Sequence, residues 1–143
     1  DVTRISIIEV PDHPGIAFKI FSALAANKIN VDIILQSVGR AGTKDISFTV
    51  STSQKEDALR ISEELKSVIG AKEVTFNDNV SKVSIVGAGM LSNPGVAAMM
   101  FEALGENNIN ISMISTSEIK ISVLIEQDLA KKAVNAIHDK FDL

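Results

Sequence analysis

The chain is 143 residues long and is written twice. PGIAFKIFSALAANKINVDIILQS (Pro14 to Ser37) lies over PGVAAMMFEALGENNINISMISTS (Pro94 to Ser117) at an offset of 80, with 11 identities in 24 positions. Two copies of one supersecondary unit must therefore share the chain, and each copy is too small to bury much surface by itself. This organisation predicts two domains, residues 1–79 and 80–143, and favours dimerisation. The boundary is expected near Asn77 to Ser81, in the polar, turn-rich stretch FNDNVSK.

Within each copy the hydrophobic spacing reads strand, helix, strand, strand, helix. Ile5 to Val10 is a short apolar run, followed by Pro14-Gly15 and a helical pattern at Ile16, Ala17, Ile20, Phe21 and Leu24. Val96, Ala97, Met100, Phe101 and Leu104 repeat that pattern, and Asn27 and Asn107 stand where a left-handed helix end is expected. Val31 to Gln36 and Ile111 to Ile114 read as second strands. Ile46, Phe48 and Val50 alternate with Ser47 and Thr49, as on a strand with one buried face, and Ile119 to Ile125 do the same. Second helices carry Ala58, Ile61, Leu65 and Ile69, then Ala130, Ala133, Val134, Ile137 and Phe141. Copy one adds a strand at KEVTFND that copy two lacks. The fold class is thus α+β: two tandem ferredoxin-like βαββαβ units, the second without its last strand. That strand is expected from outside the chain, upstream of Asp1 or from another chain, and the start at Asp1 reads as a cut or processed end.

Composition removes several function classes. There is no Cys, and His13 and His138 are the only histidines, so thiolate chemistry, a metal site and a catalytic triad lack parts. All aromatics are Phe, and the net charge is −4, which argues against nucleic acid. The uncharged run Val83 to Phe101 is broken by Gly87, Gly89, Ser92, Asn93 and Pro94, so it predicts no membrane span. Gly87-Ala88-Gly89 lacks the third glycine of a dinucleotide loop, and no phosphate-binding loop is present. Gln54 to Asp57 reads as a helix start, and Met99 and Met100 as core.

The informative place is the loop Val10-Pro11-Asp12-His13-Pro14-Gly15. Pro14 suits a first helical turn, and Gly15 allows close approach. Amides of Gly15, Ile16 and Ala17 at a helix start can hold a carboxylate. Asp12 beside them either caps the helix or binds an ammonium group. A carboxylate site next to an ammonium site suits an α-amino acid.

These residues carry a resemblance. VPDHPGIAFKIFSALAANKINVDIILQS followed by DISFTV resembles an ACT domain, a small-molecule-binding regulatory module. KVSIVGAGMLSNPGVAAMMFEALGENNINISMISTSEIKISVLI is similar to the second ACT domain of the aspartate kinase family, on VGAGM, NPGV, NINI and ISTSEIKISVLI in order. The resemblance implies the regulatory region of a cytoplasmic kinase that phosphorylates aspartate for lysine, threonine and methionine synthesis. It implies lysine and/or threonine as feedback effectors, bound between ACT units, commonly across a homodimer. ATP and Mg would serve only the kinase domain, which this chain lacks, and no cofactor or catalytic residue is expected here. Carried over by position, the effector site comprises Asp12, Gly15, Ile16, Ala17 and Gln36, with Asn108, Asn110 and Ile111 opposite. A possible second site comprises Asp32, Met90, Asn93, Gly95, Ser117 and Glu118. There Ser92 replaces the equivalent of Asp12, so a direct ammonium partner is lost.

Read without the resemblance, Gln36 and the Asn-x-Asn pair equally satisfy strand ends and turns, Glu118 is a solvated charge, and Asp32 guards a sheet edge. A free-standing amino-acid sensor acting on a partner protein would share all these features. A ferredoxin-like enzyme or RNA binder would need an arginine in the first loop or exposed aromatics on central strands, and neither is present.

Overall fold

A computed structural model describes residues 1–39, 41–87 and 95–141. The chain divides into two compact units, Asp1–Asp78 and Asn79–Leu143. Unit 1 contains β1 (Val2–Pro11), α1 (Ile16–Ala26), β2 (Ile34–Val38), β3 (Thr43–Ser51) and α2 (Lys55–Ile69), and it ends on the first half of β4 (Glu73–Val86). Unit 2 contains the second half of β4, then α3 (Gly95–Glu106), β5 (Met113–Thr116), β6 (Lys120–Glu126) and α4 (Ala130–Lys140). In unit 1 the strand order is β2-β3-β1-β4, and in unit 2 it is β4-β6-β5. Unit 1 is a complete βαββαβ unit. Unit 2 has three strands among the described residues and lacks the last, as its sequence predicts.

Each unit has its own core. In unit 1 the periodic residues Ile16, Ile20 and Leu24 of α1 and Ala58, Ile61 and Ile69 of α2 cover Ile5, Ile7, Ile46, Phe48 and Val50 of the sheet. Phe48 and Phe21 meet edge to face at 5.8 Å and 77°. In unit 2, Met100, Ala103, Leu104, Ala133 and Ile137 cover Val83, Ile121, Val123 and Ile125. Met99 and Val134 instead stay partly exposed, Val134 on the wall of a cavity that it shares with Val83 to Val86 of β4. The duplication extends to hydroxyl pairs across adjacent strands: Ser6 with Ser47 and Ser84 with Ser122, both 2.7 Å. No described helix is long and apolar enough to cross a membrane.

Several local expectations change for identifiable reasons. Asn27 and Asn107 are not left-handed; their side-chain amides donate to the carbonyls of Ala23 and Ala103, both at 2.8 Å. The left-handed residues are the next ones, Lys28 (φ 61°) and Asn108 (φ 57°). Lys28 and Ile29 donate to Ala25 and Leu24, and Asn108 and Ile109 to Gly105 and Leu104, which is a Schellman closure in each unit. β2 begins only at Ile34, since Thr49 captures the preceding loop: its hydroxyl accepts the Ile33 N–H at 3.0 Å and its carbonyl the Asp32 N–H at 3.0 Å. That loop and the Ser6–Ser47 pair also bury the polar face of β3, so Ile46 to Val50 are buried on both faces rather than one. β6 is buried on both faces as well.

The polar, turn-rich residues Asn77 to Ser81 form no turn. β4 runs through the boundary without interruption. Polar residues can stay in a strand when their side chains find partners, and Asp78 finds two: Thr3 Oγ1 donates to it at 2.9 Å and Lys55 Nζ at 2.6 Å. The Lys55 bond first, and the Thr3 bond second, hold the Asp78 carboxyl below its usual value of 3.8. A carboxylate with a depressed folded pKa adds stability above its unfolded pKa and loses it as pH falls through the folded one. Asp78→Asn is therefore expected to flatten the acid limb of the stability curve. Urea midpoints taken between about pH 5 and pH 2 check this; an acid limb as steep as that of the wild type would refute it.

Candidate functional site

The first loop of unit 1 is shaped by a Pro-Gly turn. Ile16 N–H donates to the His13 carbonyl at 3.3 Å, and Gly15 sits at φ 90° and ψ −10°. Pro14 and Gly15 are thus the two central residues of a type II turn, and Pro14 precedes the helix rather than occupying its first turn. The positive φ at the second central position is what requires glycine. α1 follows with no side chain capping it. Asp12 is therefore not the helix cap, and it lies instead beside an ammonium group.

The ammonium beside it comes from the chain itself. Lys44 Nζ lies 3.3 Å from Asp12 Oδ1, with the Lys44 side chain 17% and the Asp12 side chain 56% exposed. The backbone fixes this meeting, since Lys44 on β3 opposes Val10 on β1, and Asp12 N–H donates to the Gly42 carbonyl at 2.8 Å. Gln36 arrives from β2, opposite Ile46. Asp12, Gln36, Ser37, Thr43 and Lys44 line a cavity of about 320 Å3 at this end of the sheet. A carboxylate, an ammonium and a primary amide thus surround one space large enough for a metabolite of amino-acid size.

Other expected residues fall as follows. Ile16 is 2% exposed and belongs to the core, and its N–H already donates to the His13 carbonyl. Gly15 is exposed, and Ala17 is half-buried in the first turn of α1, where amides have no intrahelical acceptor. Asn108 holds the left-handed position after α3, Asn110 is exposed and Ile111 half-buried. In the candidate second set, Met90 and Asn93 lie outside the described residues. Gly95 opens α3, and Asp32 precedes β2 in unit 1. Ser117 closes the β5–β6 turn by donating its N–H to the Lys120 carbonyl at 2.7 Å, and Glu118 is exposed in that turn.

The two units differ at one informative position. In unit 1, Gln54 clamps the loop after α1: its Oε1 accepts the Asn30 N–H at 3.0 Å and its Nε2 donates to the Lys28 carbonyl at 2.8 Å. Gln54 ends the 3-10 turn before α2, and Leu129 ends the matching turn before α4. Leucine cannot bond the loop, so the Asn108 carbonyl and the Asn110 N–H have no such clamp. Sequence reasoning took Gln54 only as part of a helix start and did not single out Lys44, because a charged strand residue reads as solvated surface. The available signal was the comparison of the copies, in which Asp12 with Lys44 and Gln54 are all replaced.

An ACT domain model matches residues 3–70, and a second ACT domain model matches residues 83–141. The regulatory subunit of aspartate kinase from Thermus thermophilus superposes with a TM-score of 0.93 at 42% identity, covering 99% of this chain and 93% of that one. The chain belongs to the ACT-domain regulatory regions of aspartate kinases. A solved aspartokinase with alpha and beta subunits gives a TM-score of 0.92 at 46% identity, again over 99% and 93% of the two chains. An aspartate kinase of Stutzerimonas stutzeri is 47% identical over all 143 residues, and the chain spans 35% of its length. The ACT regulatory region thus accounts for about a third of such a kinase, and the charged cavity described above lies in its first ACT unit.

Proposed function

We propose that this chain is the allosteric sensor of an aspartate kinase, that it binds lysine and/or threonine as a zwitterion, and that it acts as a homodimer on a kinase catalytic domain in the cytoplasm. The observation that carries this reading is the cavity of unit 1, where Asp12, Lys44 and Gln36 offer both charges and an amide to one small molecule. Asp12 would take the effector ammonium. Amides at the start of α1 would take its carboxylate, with the positive end of the helix dipole behind them. Gln36, with donors and an acceptor, would read a side-chain hydroxyl or amine. Side-chain oxygens of Asn108 or Asn110, with Ile111 beside them, would share the ammonium with Asp12.

An effector acts only through its different affinity for the two states of the enzyme. Such coupling is typically about 1–3 kcal/mol, and small ligands of this size bind in a range of about 10 μM to 1 mM. Calorimetric titration with each of the twenty amino acids tests the proposal. Saturable binding of lysine or threonine, with a rise in dimer content by sedimentation, is expected. Silence toward both would overturn the effector assignment.

A further inference from the structure

Taking the effector site above as its basis, we propose that Lys44 is a built-in stand-in for the effector's ammonium group, so that effector binding is an exchange of one cation for another at Asp12. Three observations lead there. Lys44 Nζ sits 3.3 Å from Asp12 Oδ1, on the wall of the same cavity that Gln36 lines. That distance is longer than the 2.7–2.9 Å or so of a tight charge-assisted bond, so the pair is held loosely. The Lys44 side chain is mostly covered while its strand position is pinned from both sides, opposite Val10 of β1 and Val38 of β2. Its ammonium can therefore leave Asp12 only by turning its own flexible stem.

The second unit lacks both partners of this pair. Ile7 pairs with Ile46 in unit 1 and Ile85 with Ile121 in unit 2, so Ile119 is the counterpart of Lys44. Ser92 is the counterpart of Asp12. The carboxylate and the lysine are both absent from unit 2, as expected if the cation serves that carboxylate and has no separate task in the fold.

The physical logic is charge balance. An empty site with a bare carboxylate would attract any cation. Lys44 neutralises it until a ligand arrives with an ammonium of its own. Two ammonium groups at one carboxylate repel each other, so Lys44 must turn away as the effector enters. The exchange weakens binding and favours ligands that bring a full positive charge to Asp12. An uncharged group at that position would gain too little from Asp12 to displace the lysine.

Titration of wild-type chain and Lys44→Met tests the exchange. The ligand is whichever of L-threonine and L-lysine binds wild type, compared with its des-α-amino analogue, 3-hydroxybutanoate or 6-aminohexanoate. Lys44→Met is expected to tighten the amino acid about two- to five-fold, the size of a partly exposed ion pair, and to leave the analogue unchanged. Lys44→Arg, which keeps the cation, is expected to show no gain. In wild type, the rate of amine acetylation at Lys44 is expected to rise when the effector saturates the site, a readout that does not depend on any variant folding. Weaker or unchanged amino-acid binding by Lys44→Met, an equal gain for the analogue, or protection of Lys44 from acetylation would each overturn the exchange; the last would mark Lys44 as a clamp on the effector carboxylate. If wild type binds neither amino acid, the effector site itself is refuted and the exchange falls with it.

Discussion

Asp12→Ala is expected to bind lysine or threonine about ten- to a hundred-fold more weakly than wild type while unfolding at nearly the same denaturant concentration. The loss follows from removing the one acidic side chain among the described residues of the cavity wall, since a hydrogen bond to a charged group contributes about 1.5–3 kcal/mol. The fold should hardly notice. Asp12 caps no helix, and its pairing with Lys44 is partly exposed, which limits the stabilising effect to about 1 kcal/mol or less. Parallel calorimetry and urea titration separate the two effects. Wild-type affinity in Asp12→Ala would mean that the effector ammonium is bound elsewhere, whereas a large fall in stability would give the loop a structural role.

Phe48→Ala is expected to destabilise unit 1 by about 3–5 kcal/mol. Phe48 is fully buried, lies at the centre of the sheet between β1 and β2, and makes the edge-to-face contact with Phe21. A unit of this size rarely has more than about 3–5 kcal/mol to lose. Amide hydrogen exchange across β1 and β3 should therefore approach that of an unfolded chain, and effector binding should vanish with it. Unit 2 carries Val123 at the matching place, so the same experiment reads protection there as an internal control. A loss below about 1 kcal/mol would show that the neighbours collapse into the space, against the close packing of such cores.

The periodic parts of the fold were legible in the sequence because burial alone decides them. Ile16, Ile20 and Leu24 recur at helical spacing and all reach the core. What was not legible depends on one side chain finding one partner. Nothing local in Asn77-Asp78-Asn79 distinguishes a turn from a strand; Lys55 and Thr3 do so by bonding Asp78 from elsewhere in unit 1. The start of β2 was misplaced for the same reason, since the Thr49 hydroxyl replaces a ladder bond. At the candidate site, Asp12 was visible through its neighbours Pro14 and Gly15. Lys44 was not, because its role arises only when β3 carries it alongside the loop at Asp12.

β4 serves both units as one uninterrupted run of 14 residues. Asp78, in its first half, is bonded by Lys55 and Thr3, and Val83, in its second half, is buried in the core of unit 2. A proline placed within this run would therefore deprive whichever unit it falls in of a strand of its own sheet.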